Sequence, residues 1–223
     1  METLLLPCVE IEPAEPATHS IVWLHGLGAD GRDFVPIVPH LGLDPARAVR
    51  FVFPHAPKIP VTINMGMVMP AWYDIGGADL GSRQDRAGIA RSAEQVRALV
   101  AREVERGVPS RNVVLAGFSQ GGAVAVHVAL RHAQPLAGVL ALSTYLLMGE
   151  SVEAELAPAN RGIAVFQAHG TADPMVPLRW GRDLRARLEA LGCAVTWREY
   201  PMQHEVCMEE IRDVGTWLNA VLA

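Results

Sequence analysis

One short segment constrains the fold of this chain more than any other. Val113-Val114-Leu115-Ala116 is an apolar run, Gly117-Phe118-Ser119-Gln120-Gly121-Gly122 follows it, and residues 123–130 are apolar at almost every position. A strand that feeds a helix through a glycine-flanked serine must make a sharp turn with a strained central residue. Side chains two positions before and after that residue would collide. Gly117 and Gly121 remove them, and Gly122 lets the helix lie close to the sheet.

The rest of the chain repeats the strand-then-helix pattern. Residues 20–25, 49–53, 112–117, 137–142, 163–168 and 194–200 are short, rich in Val, Ile or aromatics, and bounded by turn residues, which reads as strands. Five of them are largely apolar, as strands covered on both faces of a parallel sheet must be. Residues 4–10 are a weaker opening strand. Ile89, Ala93, Val96, Val100 and Val104 form one helical stripe, ended by Gly107 and Pro109; Leu184, Leu188 and Leu191 form a second, closed by Gly192. Ile211, Val214, Leu218 and Val221 form a third, and residues 120–132 predict a buried helix. The alternation predicts a mainly parallel α/β sheet with helices on both faces. Residues 54–85 fit neither period, and carry four prolines and four glycines. An irregular stretch of that length inside a domain predicts a functional loop.

Composition narrows the class. At 223 residues the chain suits one domain spanning 1–223, large enough to fold without disulfides or metal. A net charge of −5 with no basic run argues against nucleic acid, whose affinity comes mainly from Lys and Arg on phosphates. No apolar run reaches the 18 or so residues of a membrane span, so the chain is not expected to be membrane-embedded. The opening Met1-Glu2-Thr3-Leu4-Leu5-Leu6-Pro7 lacks a basic segment and does not read as a signal peptide. Cys8, Cys193 and Cys207 lack metal-ligand spacing and read as thiols of a reducing cytoplasm.

Serine needs a base and a place for the developing oxyanion. The Gln120 amide opens a helix, so its N–H is unpaired at the positive end of the dipole. His25-Gly26-Leu27-Gly28 follows an earlier strand, and Leu27 is the expected second donor. Among eight histidines, His127 lies about 12 Å along the helix from Ser119 and His132 lies farther; His19 and His40 have no adjacent constellation. His25, His55 and His169 end strands. His204 follows the strand at 194–200, on a loop at a carboxyl end of the sheet, and satisfies the order serine, acid, histidine. It is the expected base. Asp173, just past the strand at 163–168, is the expected orienting acid, whereas Asp183 lies inside a helical pattern.

These motifs resemble the carboxylesterase/acyl-protein thioesterase family of α/β-hydrolases without a large cap. The resemblance rests on Leu24-His25-Gly26-Leu27-Gly28-Ala29-Asp30-Gly31, Phe53-Pro54-His55-Ala56-Pro57, Met69-Pro70-Ala71-Trp72-Tyr73-Asp74, the Ser119 segment, Leu142-Ser143-Thr144-Tyr145 and His169-Gly170 with Asp173. It implies a serine hydrolase of carboxylic esters or thioesters with Ser119, Asp173 and His204 as triad and Leu27 and Gln120 as oxyanion hole. No cofactor or metal is implied. The family's glycine before the catalytic histidine is Gln203 here. The acyl group is expected against Trp72, Met65, Met67, Phe118, Tyr145, Met175 and Val176. The expected partner is a small-molecule ester or thioester of short to medium acyl chain, with a homodimer expected by analogy alone. Alternatives are a thioesterase or lysophospholipase for long acyl chains, and, less expected, an inactive ligand-binding hydrolase fold or a peptidase.

Overall fold

The apolar runs read as strands do pair side by side. The computed structural model describes residues 5–77, 80 and 84–223. In chain order the elements are β1 (Cys8–Ile11), β2 (His19–Leu24), β3 (Val49–Pro54), β4 (Lys58–Val61), β5 (Met67–Pro70), α1 (Arg86–Glu105), β6 (Val113–Phe118), α2 (Gln120–Arg131), β7 (Gly138–Leu142), the one-turn α3 (Val152–Glu155), β8 (Ala164–Gly170), α4 (Leu178–Ala190), β9 (Ala194–Tyr200) and α5 (Met208–Val221). The main sheet runs β1-β3-β2-β6-β7-β8-β9, and only the β1–β3 pair is antiparallel.

Strand alternation sorts the core into two layers. Val22, Leu24, Val113 and Leu115 face the layer built with α1, α2 and α4. Ile21, Trp23, Val114 and Ala116 face the layer built with α5. Each strand residue thus points opposite to its neighbour, and both faces are apolar because both carry helices. Every residue from Gln120 to Leu130 is buried, so α2 is the central helix that its sequence predicts. Strand order reverses beside β2, with β3 on one side and β6 on the other, and α/β sheets form ligand crevices beyond strand carboxyl ends at such a point.

Three expectations need correction. The opening strand is β1, shorter and later than residues 4–10, and residue 4 lies outside the described residues. Residues 54–85 are not wholly irregular: β4 and β5 pair as a hairpin, Lys58 opposite Pro70 and Pro60 opposite Val68. A two-stranded ribbon leaves each strand one open edge, so prolines fit without costing a ladder bond; residues 78, 79 and 81–83 of this stretch lie outside the described residues. On α1, Val104 is 37% exposed while Leu99 and Glu103 are buried. Fifteen residues from Ile89, a straight helix has rotated about 60° past the starting face.

Glu103 is buried because it is paired: Arg50 of β3 meets it at 2.9 Å and reaches Glu12 at the same distance. Burial alone would raise its pKa, but Arg50 and Arg106 hold it below the usual carboxylate range. Glu210 on α5 is the opposite case. It is fully buried, and among the described residues neither carboxyl oxygen has a hydrogen-bond partner. Burial pushes its pKa up to about 8. Its folded value lies above its unfolded one, so it contributes most to stability below the usual carboxylate range. That contribution falls as pH rises towards 8. Glu210→Gln is therefore expected to melt higher than the native chain at pH 9, by more than at pH 5. Thermal melts at both pH values check this, and a pH-independent difference would count against it.

Candidate functional site

The four loops that follow β2, β6, β8 and β9 meet at the carboxyl end of the sheet. Ser119 occupies the turn between β6 and α2 with φ 54° and ψ −121°, a conformation that an L residue adopts only under strain. Hydrogen bonds hold it there: Ser119 N donates to Leu142 O at 2.9 Å, and Thr144 Oγ1 donates to Ser119 O at 2.6 Å. The glycines on either side are fixed by contact. A Cβ on Gly117 would lie 2.4 Å from the Gly121 carbonyl carbon, and one on Gly121 would lie 2.4 Å from His25 O. The start of α2 therefore rests directly on the end of β2.

His204, between β9 and α5, places Nε2 2.9 Å from Ser119 Oγ and Nδ1 2.6 Å from Asp173 Oδ2. Asp173, between β8 and α4, receives two further bonds on Oδ1 from the N–H groups of Met175 and Val176, each 2.8 Å. A carboxylate only accepts, so Nδ1 of His204 carries the proton and Nε2 is left to accept from the serine hydroxyl. The Asp173 side chain is fully buried, while that of His204 is 18% exposed. Phe118 packs on the imidazole with ring centroids 4.7 Å apart.

Sequence reasoning passed over His169 as a support. Its Nε2 donates to Val176 O at 2.7 Å and lies 3.7 Å from Asp173 Oδ2, so it braces the acid loop from below. Burial lowers its pKa, which keeps that buried ring neutral. The signal was present in its position at the end of the strand before Asp173.

The Gln120 N–H is the first of α2 and has no helical acceptor. The Leu27 N–H makes no hydrogen bond among the described residues. Both residues line the same cavity as Ser119 and His204, with a volume of about 670 Å³. Its walls include Phe34, Ile37, Ile63, Met69, Ile75, Leu80, Phe118, Tyr145, Met175, Val176 and Val206; among the described residues its carboxylate-bearing lining groups are Asp33 and Glu205. Of the acyl-contact residues expected from sequence, Phe118, Tyr145, Met175 and Val176 line it, but Met65, Met67 and Trp72 do not. Met65 is 96% exposed at the turn between β4 and β5. Trp72 is buried, with its indole N–H on His25 O at 2.9 Å and its backbone N–H on Gln120 Oε1 at 2.9 Å. Gln203 is exposed and stands off the cavity wall. Among the described residues no group of three or more His, Cys, Asp or Glu is placed to hold a metal, and no helix is long and apolar enough to cross a membrane.

A family model described as Phospholipase/Carboxylesterase matches residues 7–222. The chain belongs to the phospholipase/carboxylesterase family. Among its relatives in this family is Acyl-protein thioesterase 1 of Mycosarcoma maydis, 37% identical over 220 residues, which cover 92% of this chain and 92% of that protein. The crystal structure of Arabidopsis thaliana SOBER1 matches with a TM-score of 0.86 at 28% identity, over 92% of this chain and 99% of that one. That of Zea mays acyl-protein thioesterase 2 matches with a TM-score of 0.84 at 27% identity, over 97% and 99%. The expected α/β-hydrolase fold and family are thereby borne out, and the chain is a hydrolase of the ester- and thioester-cleaving class.

The contact at Gly121 gives a direct test. Gly121→Ala must push β2 and α2 apart, since the added carbon meets backbone rather than a movable side chain. It is expected to destabilise by about 1–3 kcal/mol or more and to remove most ester turnover, measured by denaturant unfolding and an esterase assay.

Proposed function

We propose that the chain hydrolyses carboxylic esters of short to medium acyl chains, with Ser119 as nucleophile, His204 as general base and acid, and Asp173 as orienter. The observation that carries this reading is the unbroken hydrogen-bonded line from Asp173 through His204 to Ser119, opening on an apolar cavity.

His204 Nε2 takes the hydroxyl proton as Ser119 Oγ bonds to the ester carbonyl carbon. The carbonyl oxygen becomes an oxyanion held by the N–H groups of Leu27 and Gln120, at the positive end of α2. His204 then gives the proton to the leaving oxygen as the carbon–oxygen bond breaks. Water, deprotonated by His204, attacks the acyl-enzyme, and the carboxylic acid leaves as Ser119 regains its proton. Asp173 keeps the proton on Nδ1 and faces the imidazolium with a buried negative charge. The substrate is a small ester or thioester, and the apolar lining suits its acyl chain. The three free thiols fit a reducing cytoplasm. The second reading, a thioesterase for long acyl chains, is favoured by the names of the curated relatives.

Ser119→Ala is expected to abolish p-nitrophenyl ester turnover and fluorophosphonate labelling while leaving the melting temperature near that of the native chain. Asp173→Asn is expected to lower kcat by about 10⁴, as loss of the correct tautomer does in the trypsin-type triad. A chain-length series separates the two readings. Each methylene that enters the cavity is worth about 0.8 kcal/mol, roughly fourfold in kcat/KM, until the cavity is full. A plateau at medium length fits the first reading, and a rise continuing to palmitoyl esters and thioesters fits the second.

A further inference from the structure

We propose that His25 is a positioning residue for hydrolysis: its ring fixes the peptide between Gly26 and Leu27, so that the Leu27 N–H stays aimed into the cavity. The inference rests on the reading of that N–H as an oxyanion donor.

The hydrogen bonds determine the tautomer. The Ala56 backbone N–H lies 3.0 Å from His25 Nε2, and an amide N–H can only donate, so Nε2 is an unprotonated acceptor. The proton is therefore on Nδ1, which lies 2.7 Å from Gly26 O and donates to it. The peptide that carries this oxygen also carries the Leu27 nitrogen. It is planar, and no cis bond occurs among the described residues. In a trans peptide C=O and N–H point in opposite directions. Drawing the Gly26 carbonyl onto the buried ring turns the Leu27 N–H the other way, towards the side lined by Gly26, Leu27, Ser119 and His204.

The surroundings hold the ring in place. His25 is 1% exposed, and burial lowers its pKa, so the neutral ring with one donor and one acceptor is the form present. The His25 carbonyl accepts from the Trp72 indole at 2.9 Å and lies against Gly121. On the far side of Leu27, Gly28 N donates to Pro70 O at 2.8 Å. Both flanking peptides are thus anchored, and the Leu27 N–H is left without an acceptor among the described residues. The buried Trp72 indole does not line the cavity, and it acts on the reaction through His25.

The experiment compares His25→Leu, which removes the donor, with His25→Asn, whose amide nitrogen replaces Nδ1. Readouts are kcat, KM and affinity for two inhibitors of the same chain length. A trifluoromethyl ketone forms a tetrahedral oxyanion on Ser119, whereas the matching methyl ketone binds as a ground-state analogue. Fluorophosphonate titration counts competent Ser119 sites in every variant. In His25→Leu, kcat and trifluoromethyl ketone affinity are expected to fall together by about 10- to 100-fold, with KM and methyl ketone affinity within about twofold. His25→Asn is expected to recover most of the loss. Unchanged kcat in His25→Leu overturns the inference, as does an equal loss of methyl ketone affinity, or an Asn variant as impaired as the Leu variant. Should His25→Leu not fold, near-native kcat in His25→Asn upholds the inference and a large loss overturns it. Turnover retained by Ser119→Ala would instead overturn the underlying site reading, leaving the two failures distinguishable.

Discussion

The reactive end of this molecule depends on two backbones crossing with no side chain between them. Gly121, at the start of α2, lies against the carbonyls of Leu24 and His25 at the end of β2. This contact sets the height of α2 on the sheet and, with it, the position of Ser119 and of the first free N–H of the helix. It also brings the loop after β2 alongside the loop after β6. The strain at Ser119 is of a kind that costs about 1–3 kcal/mol. It persists because Leu142, Thr144 and Ala123 bond its backbone on both sides.

A second level of support is polar and buried. The Gln120 side chain accepts from Trp72 N and donates to Tyr73 O, tying the elbow to the segment after β5. Trp72 carries the connection to His25, and His25 carries it to Leu27 and Ala56. On the acid side, Asp173 gathers N–H donors from Met175, Val176 and His204, with His169 bracing Val176. Buried polar groups cost free energy unless they are satisfied. Apart from His204, which meets the side chains of Asp173 and Ser119, each of these side chains bonds to backbone, so the network fixes loop geometry that apolar packing alone would leave loose. The cavity beside it is mostly apolar, with two carboxylates and no lysine or arginine on its described wall.

Much of this was legible in the residues. The glycine spacing around Ser119, the apolar strands and the positions of Asp173 and His204 after successive strands all follow rules of short range and fixed period. Other features were not. Val104 continued the α1 stripe in sequence, yet helical drift turned it outward. Pro60 and Pro70 masked a hairpin, because proline excludes a central strand but not a two-stranded ribbon. Met65 and Met67 looked like acyl contacts because thioethers suit lipid chains, but the hairpin turn carries Met65 into solvent. Trp72 looked like a pocket aromatic, and its indole N–H was instead taken by the His25 carbonyl. His25 and His169 stand at strand ends in the sequence, but nothing nearby in the chain names the backbone groups they hold.

By itself the sequence determined the order of the main-sheet strands and the long helices, the strained serine turn and the chemical types available at the sheet's carboxyl end. These follow from periodicity, from the missing side chains of glycine and from the order of loops along the chain. Only the tertiary structure decided which aromatics and methionines line the cavity, and which histidines hold backbone while His204 meets Ser119. It also decided that Glu210 is buried with no side-chain hydrogen-bond partner among the described residues. The reason is that burial and hydrogen-bond partnership belong to pairs of residues distant in the chain, and a partner becomes defined only once packing has chosen which faces meet.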